Sequence, residues 1–177
     1  MSTILPELRL YICNHLIANI PSHTIRLWYY RNLMNFKIGK GCTIFMNCKF
    51  DCAGGLTIGA NSVINSNCRL DARGGLEIGS NVSISEDVIF LTADHNEDFI
   101  GIFGREKKIV IKDYVWIGTR AMVLPGVTIE KGAAVGAGAI VTRNVDYLNV
   151  VAGIPAKKIN IRPENFNYIT HYKRLFQ

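Results

Sequence analysis

The chain has 177 residues, 49% of them hydrophobic, which fits one domain with short appendages. Its net charge of +6 suits either an anionic partner or an ordinary solvated basic surface. The sequence contains no Lys/Arg block with interleaved aromatic residues, the pattern that would indicate a nucleic-acid-binding protein. The five cysteines form no CxxC pair and no Cys/His cluster, so we expect no zinc site. Their odd number argues against a disulfide framework and indicates a reducing compartment.

Residues 1–36 form the first segment, which carries a loosely helical apolar pattern. Pro21 interrupts that pattern, and Ser22 is a suitable N-cap for a second helix. Polar residues leave no run of about 18 apolar residues, so no spanning helix is expected. Nor does a basic stretch before an apolar core indicate a signal peptide. We interpret the segment as a helical arm that either caps the next domain or contacts a membrane surface or an acceptor.

A long-period repeat begins at residue 37. Segments starting at Ile38, Ile58 and Ile78 align 20 residues apart, which is three hexads plus a two-residue extension. The extensions at 51–56 and 71–76 each begin with Asp and contain a Gly-Gly pair, so they predict matching corners that stack along one edge.

Six regular hexads follow over residues 111–145. One apolar column contains Ile111, Ile117, Val123, Ile129, Val135 and Val141, and a second contains Val115, Ala121, Val127, Ala133, Ala139 and Val145. A period of six matches neither a helix nor a flat strand. It is typical of a parallel β-helix, in which each hexad forms one side of a coil.

The repeat is interrupted by a polar, glycine-containing loop at 95–110, in which Phe99, Ile100 and Phe103 are embedded. His95 stands where the coil gives way to this loop, and it is the only histidine between Ile38 and Asn160. A loop on a rigid coil is a common place for function. Imidazole can accept a proton near neutral pH, so His95 is the candidate general base; the alternative is a structural histidine.

The hexads resemble those of the hexapeptide-repeat acyltransferases, as in Ile117-Gly118, Ile129-Glu130 and Val135-Gly136. Within that family the resemblance is to the sugar and polysaccharide O-acetyltransferase type, similar to maltose and galactoside acetyltransferases. It implies an all-β fold, a left-handed parallel β-helix over 37–160. A helical arm over 1–36 precedes it, and a tail or short helix over 161–177 follows it.

The resemblance also implies an activity, acetyl-CoA-dependent O-acetylation of a sugar or glycan intermediate in a cell-surface polysaccharide pathway. His95 would deprotonate the acceptor hydroxyl, which attacks the thioester directly. Asn65, Asp71 and Trp116 would contact the acceptor, although Arg73 stands where those relatives have an acidic residue. Corner hydrogen bonding is the alternative for Asn65 and Asp71, and outward packing is the alternative for Trp116.

Residues 136–143 resemble the family's coenzyme-binding coil, and 153–157 resemble its Gly-Ile-Pro-Ala-Lys ending. The resemblance assigns Thr119 and Ala137 to the pantetheine of acetyl-CoA. At the nucleotide end it places Thr142, Arg143, Lys157 and Lys158, where cationic side chains suit phosphates. Plain coil packing is the alternative for the alanines and glycines.

The expected assembly is a homotrimer with active sites between subunits, in the cytoplasm or at the inner face of the membrane. The γ-type carbonic anhydrases share this fold and bind zinc through three histidines. The coil region here contains one histidine, so no metal is expected. Other acceptors stay open, namely serine, an amino sugar nucleotide or an antibiotic. A non-enzymatic scaffold with a decayed site also stays open.

Overall fold

The computed structural model describes residues 4–95 and 104–170. Helices α1 (Ile4–His15) and α2 (His23–Asn32) flank a 3₁₀ turn at Ile17–Asn19. The strands that follow are short: β1 (Lys37–Ile38), β2 (Thr43–Ile44), β3 (Lys49–Phe50), β4 (Leu56–Ile58), β5 (Val63–Ile64), β6 (Arg69–Leu70), β7 (Leu76–Ile78), β8 (Ser83–Ile84), β9 (Ile89–Phe90), β10 (Ala93–His95), β11 (Gly104–Glu106), β12 (Ile109–Ile111), β13 (Trp116–Ile117), β14 (Met122–Val123), β15 (Thr128–Ile129), β16 (Ala134–Val135), β17 (Ile140–Val141), β18 (Asn149–Ala152) and β19 (Lys157–Ile161).

The strands form three faces of a coil. Face 1 has the order β1-β4-β7-β12-β15, face 2 has β19-β18-β16-β13-β8-β5-β2, and face 3 has β17-β14-β9-β6-β3. Ile38 pairs with Ile58 and Ile44 with Ile64 in parallel register, so equivalent residues of the 20-residue repeats stack directly. This confirms the predicted parallel β-helix of hexads with a helical N-terminal segment.

Three edges separate the faces. We call the turns from face 2 to face 3 the first edge (45–47, 65–67, 85–87, 118–120 and 136–138). The turns from face 3 to face 1 form the second edge (51–55, 71–75, 91–95, 104–108, 124–126 and 142–144). The third edge comprises the turns from face 1 to face 2 (60–62, 80–82, 113–115, 131–133 and 147–148). All the candidate site residues on turns lie along the first two edges.

The hexad pattern forms the coil because two residues of each hexad point inward and each corner turns sharply. Both apolar columns of residues 111–145 are buried, with relative exposures of 3% or less. At the first edge, Asn47, Asn67, Asp87 and Arg120 adopt left-handed φ values between 59° and 63°. Asparagine and aspartate tolerate that conformation better than most residues, which explains the polar residues at these corners.

The helical arm covers the first coil. The Asn14 side chain donates to the carbonyl of Phe50 (2.8 Å) and accepts from its N–H (2.9 Å), which satisfies the open edge of β3. Arg26 is fully buried and donates to the Ile44 carbonyl at 2.9 Å. The division of the chain into the arm (1–36), the coil (37–160) and the tail (161–177) stays a prediction. Within residues 4–95 and 104–170, no helix is long and apolar enough to cross a bilayer.

Two segments differ from the sequence-based expectations. Part of the predicted loop at 95–110 is a strand, because β11 pairs antiparallel with β10 at the base of the excursion; Phe99, Ile100 and Phe103 lie outside the described residues. The short helix considered from Pro163 onward does not form over 163–170, where the chain is irregular. There the tail packs along the third edge, with Phe166 against the Tyr114 ring (centroids 4.7 Å apart).

Candidate active site

His95 lies at the second edge, at the end of β10. The β10–β11 hairpin places it opposite Gly104, and its side chain is exposed. It lines a pocket of about 300 Å³ together with Arg73, Ala93, Asp94, Gly104, Arg105 and Glu106. His95 is therefore accessible to a ligand from solvent.

An ion pair holds the two strands of this hairpin together. Arg105 donates from Nε and Nη2 to the two carboxylate oxygens of Asp94, at 2.6 and 2.7 Å. These hydrogen bonds hold the pKa of Asp94 below its usual range. Asp94 thus stays ionised near neutral pH and fixes the strand that carries His95.

Asp71 lies one coil earlier on the second edge, and its side chain is completely buried. Its oxygens accept hydrogen bonds from the backbone N–H groups of Arg73, Thr92 and Ala93, and from Nε and Nη2 of Arg73. Burial favours a raised pKa, but the hydrogen bonds from Arg73 and the backbone outweigh it, so the pKa of Asp71 is lowered. These contacts fit the corner alternative, and contact with the acceptor stays a prediction.

Asn65 and Trp116 lie away from this pocket. Asn65 is at the first edge, where its side-chain amide donates to the Ile84 carbonyl at 2.7 Å. Trp116 points outward from face 2, in register between Ser83 and Ala134, with 49% of its surface exposed.

The residues assigned to acetyl-CoA are also divided between edges. At the first edge the Gly138 N–H donates to the Thr119 carbonyl at 2.8 Å, and Thr119 and Ala137 are exposed. Lys157 and Lys158 lie nearby on β19, opposite Ala152 and Val151. The exposed Thr142 and Arg143 instead follow β17 at the second edge. The coil-packing alternative fits Ala139, which is buried, better than Ala137.

The predicted site residues therefore fall into two groups on one chain, which we call half-sites. The first edge and face 2 carry Asn65, Trp116, Thr119, Ala137, Lys157 and Lys158; the second edge carries Asp71, His95, Thr142 and Arg143. Each half includes residues assigned to the acceptor and residues assigned to acetyl-CoA. Neither half contains the complete set.

The sequence analysis missed two arginines of the His95 pocket. Arg73 reaches it because its Nε and Nη2 are fixed side-on by Asp71. Arg105 reaches it because β11 pairs with β10. The Asp71-x-Arg73 spacing on a double-glycine corner was a usable signal for Arg73, whereas the Arg105 position depends on strand pairing. Among the described residues, no group of three or more His, Cys, Asp or Glu could hold a metal ion.

A family model described as "Bacterial transferase hexapeptide (six repeats)" matches residues 108–143, the part from β12 to β17. Over these residues the chain carries the hexapeptide repeat of that family. A chloramphenicol acetyltransferase of Klebsiella aerogenes is 45% identical over 60 residues, 34% of this chain and 29% of that protein. The first curated relatives are matched over at most 39% of their own length.

Solved structures match this chain over more of its length than the family model does. The hexapeptide-repeat acetyltransferase VCA0836 of Vibrio cholerae, complexed with acetyl-CoA, has a TM-score of 0.82 and 26% identity, over 91% of this chain and 89% of that chain. A maltose O-acetyltransferase from Clostridium difficile has a TM-score of 0.81 and 27% identity, over 91% and 88%. These structural neighbours are acetyltransferases, and their similarity includes most of the arm as well as the coil.

Proposed function

We propose that this chain is an acetyl-CoA-dependent O-acetyltransferase that acts on a hydroxyl of a sugar or glycan intermediate in a cell-surface polysaccharide pathway. The observation that carries the proposal is the exposed His95, which lines a pocket where the coil is interrupted. Similarity to a maltose O-acetyltransferase over 91% of the chain supports a sugar as the acceptor.

In the proposed reaction, His95 acts as general base. A ring nitrogen accepts the proton of the acceptor hydroxyl while the hydroxyl oxygen forms a bond to the thioester carbonyl carbon. The carbon–sulfur bond then breaks, the acetyl group stays on the acceptor oxygen, and the imidazolium returns its proton to the departing thiolate. The Asp94–Arg105 ion pair contributes by holding the β10–β11 hairpin in place.

The complete site requires more than one chain in this proposal. The two half-sites lie on different edges, so one copy must present its first edge to the second edge of another. Such a head-to-tail contact is heterologous, and it closes into a ring when the rotation permits. We infer a homotrimer, the assembly that the resemblance to the hexapeptide-repeat acyltransferases implies.

Alternative acceptors are serine, an amino sugar nucleotide and an antibiotic such as chloramphenicol, and a scaffold is the non-enzymatic alternative. The test incubates the protein with acetyl-CoA and a panel of sugars, sugar nucleotides, serine and chloramphenicol, and measures release of the coenzyme thiol. We expect turnover with a sugar acceptor. Turnover with serine alone would overturn the glycan assignment, and no turnover with any acceptor would support the scaffold.

Replacing the proposed base tests its role directly. We expect His95→Ala to lower turnover about 10²–10⁴-fold, the usual contribution of a general base. His15→Ala is the matched control, because His15 is also exposed but lies on α1, and it should keep full activity. Equal turnover in His95→Ala and the parent protein would refute the assignment.

A further inference from the structure

The helical arm exposes large apolar side chains on both of its helices. On α1 these are Ile4, Leu5, Leu8 and Tyr11; on α2 and just after it they are Ile25, Trp28 and Leu33, with exposures of 39% to 72%. We call these seven residues the arm surface. The α1 positions follow helical spacing and so share one face. A contiguous exposed apolar surface of this kind marks a site of interaction with a protein or a membrane.

A groove joins the two helices within the arm surface. It has a volume of about 420 Å³ and is lined by Leu5, Pro6, Leu8, Arg9, Ile12, Tyr29 and Leu33. Arg9 is the one charged residue of this lining. Its Nε–H is buried and has no hydrogen-bond acceptor in the part of the chain that the structure describes. A single cationic side chain in an otherwise apolar lining favours an anionic group at the groove.

The positive charge of the chain is concentrated at the same end. Residues 1–50 contain six Lys/Arg and one acidic residue, a net charge of +5. Residues 51–177 contain 14 Lys/Arg and 13 acidic residues, a net charge of +1. A second copy docked through the same surface would bring two positive ends together, which like-charge repulsion opposes. An anionic partner is attracted instead.

We propose that the arm surface docks on an anionic lipid bilayer. The apolar side chains would enter the boundary between head groups and acyl chains, and the positive end would attract anionic head groups. Tyr11 and Trp28, each with an apolar ring and a polar group, suit this boundary. A lipid phosphate would pair with the guanidinium group of Arg9. This docking goes beyond the proposed function, because it does not depend on acetyl transfer.

Sedimentation with vesicles tests the docking. The full chain is mixed with vesicles of phosphatidylcholine alone or of phosphatidylcholine containing phosphatidylglycerol, and the pelleted fraction is measured. We expect binding to the phosphatidylglycerol vesicles that weakens as salt is added, because screening reduces the attraction. No pelleting at low salt, or equal pelleting with both vesicles, would overturn the proposal.

Variants then locate the surface. We expect Arg9→Gln to bind the anionic vesicles about fivefold more weakly, as for the loss of one basic residue at a membrane, and Arg9→Lys to retain most of the binding. Leu8→Asp should weaken binding further. Ile159→Asp is the matched control, since Ile159 is 65% exposed on β19, outside the arm.

The outcomes separate lipid from protein as the occupant. Thermal unfolding checks that each variant folds; if Leu8→Asp does not, the Arg9→Gln and Arg9→Lys pair decides. Equal binding by Arg9→Gln and the parent, or the same loss in Ile159→Asp, would overturn the proposal. A smaller assembly of Leu8→Asp in sedimentation velocity, with vesicle binding unchanged, would assign the arm surface to contact between copies instead.

Discussion

Two Asp–Arg pairs at the second edge have the same geometry in different surroundings. Asp71 holds Arg73 through Nε and Nη2, and Asp51 holds Arg69 through the same two nitrogens one coil earlier. The Asp71 side chain is fully buried, whereas that of Asp51 is 22% exposed. Solvent screens the outer pair, so the two carboxylates should differ in their contribution to stability.

Substituting each carboxylate with the matching amide tests this difference. We expect Asp71→Asn to lower the free energy of unfolding by about 2–4 kcal/mol, because buried donors lose a charged acceptor. Asp51→Asn should cost under ~1 kcal/mol, as for an exposed pair. Urea denaturation followed by circular dichroism measures both. Equal losses would show that burial of Asp71 is not what makes its hydrogen bonds important.

The Asp71 corner also shows which properties of a single residue the sequence does not predict. The corner motif predicted stacked turns, and Asp71 was a candidate for acceptor binding. Its burial could not be predicted, because the coil that covers it lies far along the chain. The backbone N–H groups of Thr92 and Ala93, 21 and 22 residues away, donate hydrogen bonds to its carboxylate. Arg73, two residues along, is the pocket-lining residue of that corner.

At the scale of the element, corner glycines set how closely consecutive turns stack. A Cβ on Gly118 would lie 2.7 Å from the backbone nitrogen of Ala137 and 3.0 Å from the carbonyl carbon of Gly136. Backbone atoms of a stacked coil cannot move aside as a flexible side chain can. The first edge therefore depends on the absence of a side chain at Gly118, next to Thr119.

Alanine substitutions at two glycines show whether close stacking, or only the flexibility of glycine, contributes to stability at the first edge. We expect Gly118→Ala to destabilise the protein by about 1–3 kcal/mol, as overpacking does. Gly104→Ala is the control, because a Cβ added to Gly104 in β11 would have no described atom within 4 Å, and it should change stability by less than ~0.5 kcal/mol. Thermal unfolding compares the two. A tolerated Gly118→Ala would mean that the first edge can widen freely.

Elements differed in how well the sequence predicted them. The hexads were predictable because the same two positions of each hexad are buried, so the period of six appears directly in the sequence. The β10–β11 pairing was not, because Gly104–Glu106 lies in a stretch without hexads and finds its partner only in three dimensions. The helix considered from Pro163 onward does not form over 163–170, although the apolar residues have helical spacing, because Phe166 packs on the Tyr114 ring of the third edge instead.

At the scale of the whole molecule, the proposed site depends on contact between the first edge of one copy and the second edge of another. His95 and Asn65 would then reach one pocket from different chains. A defect on either edge would inactivate every site of a homogeneous assembly. In a mixed assembly, some sites would combine the intact edge of each variant.

Mixing two inactive variants tests this arrangement. His95→Ala and Asn65→Ala are each expected to have low activity when assembled alone. When the two variants are reassembled in equal amounts, half of the first edges and half of the second edges are intact. About a quarter of the sites then combine two intact edges, so about a quarter of the parent activity should return. Sedimentation velocity checks the assembly. No recovery despite mixed assemblies would place the complete site on one chain.

The tail changes how the molecule opens. In a solenoid each coil contacts only its neighbours, so the last coil would normally fray first. Here Arg162 donates to the carbonyl of Gly132 at 2.9 Å, and Thr170 donates to that of Asn81 at 3.0 Å, so the polypeptide leaving the last coil returns to the third. Fraying must therefore release a strap as well as a coil, and the amide hydrogens of β16 and β18 should exchange with solvent almost as slowly as those of β8.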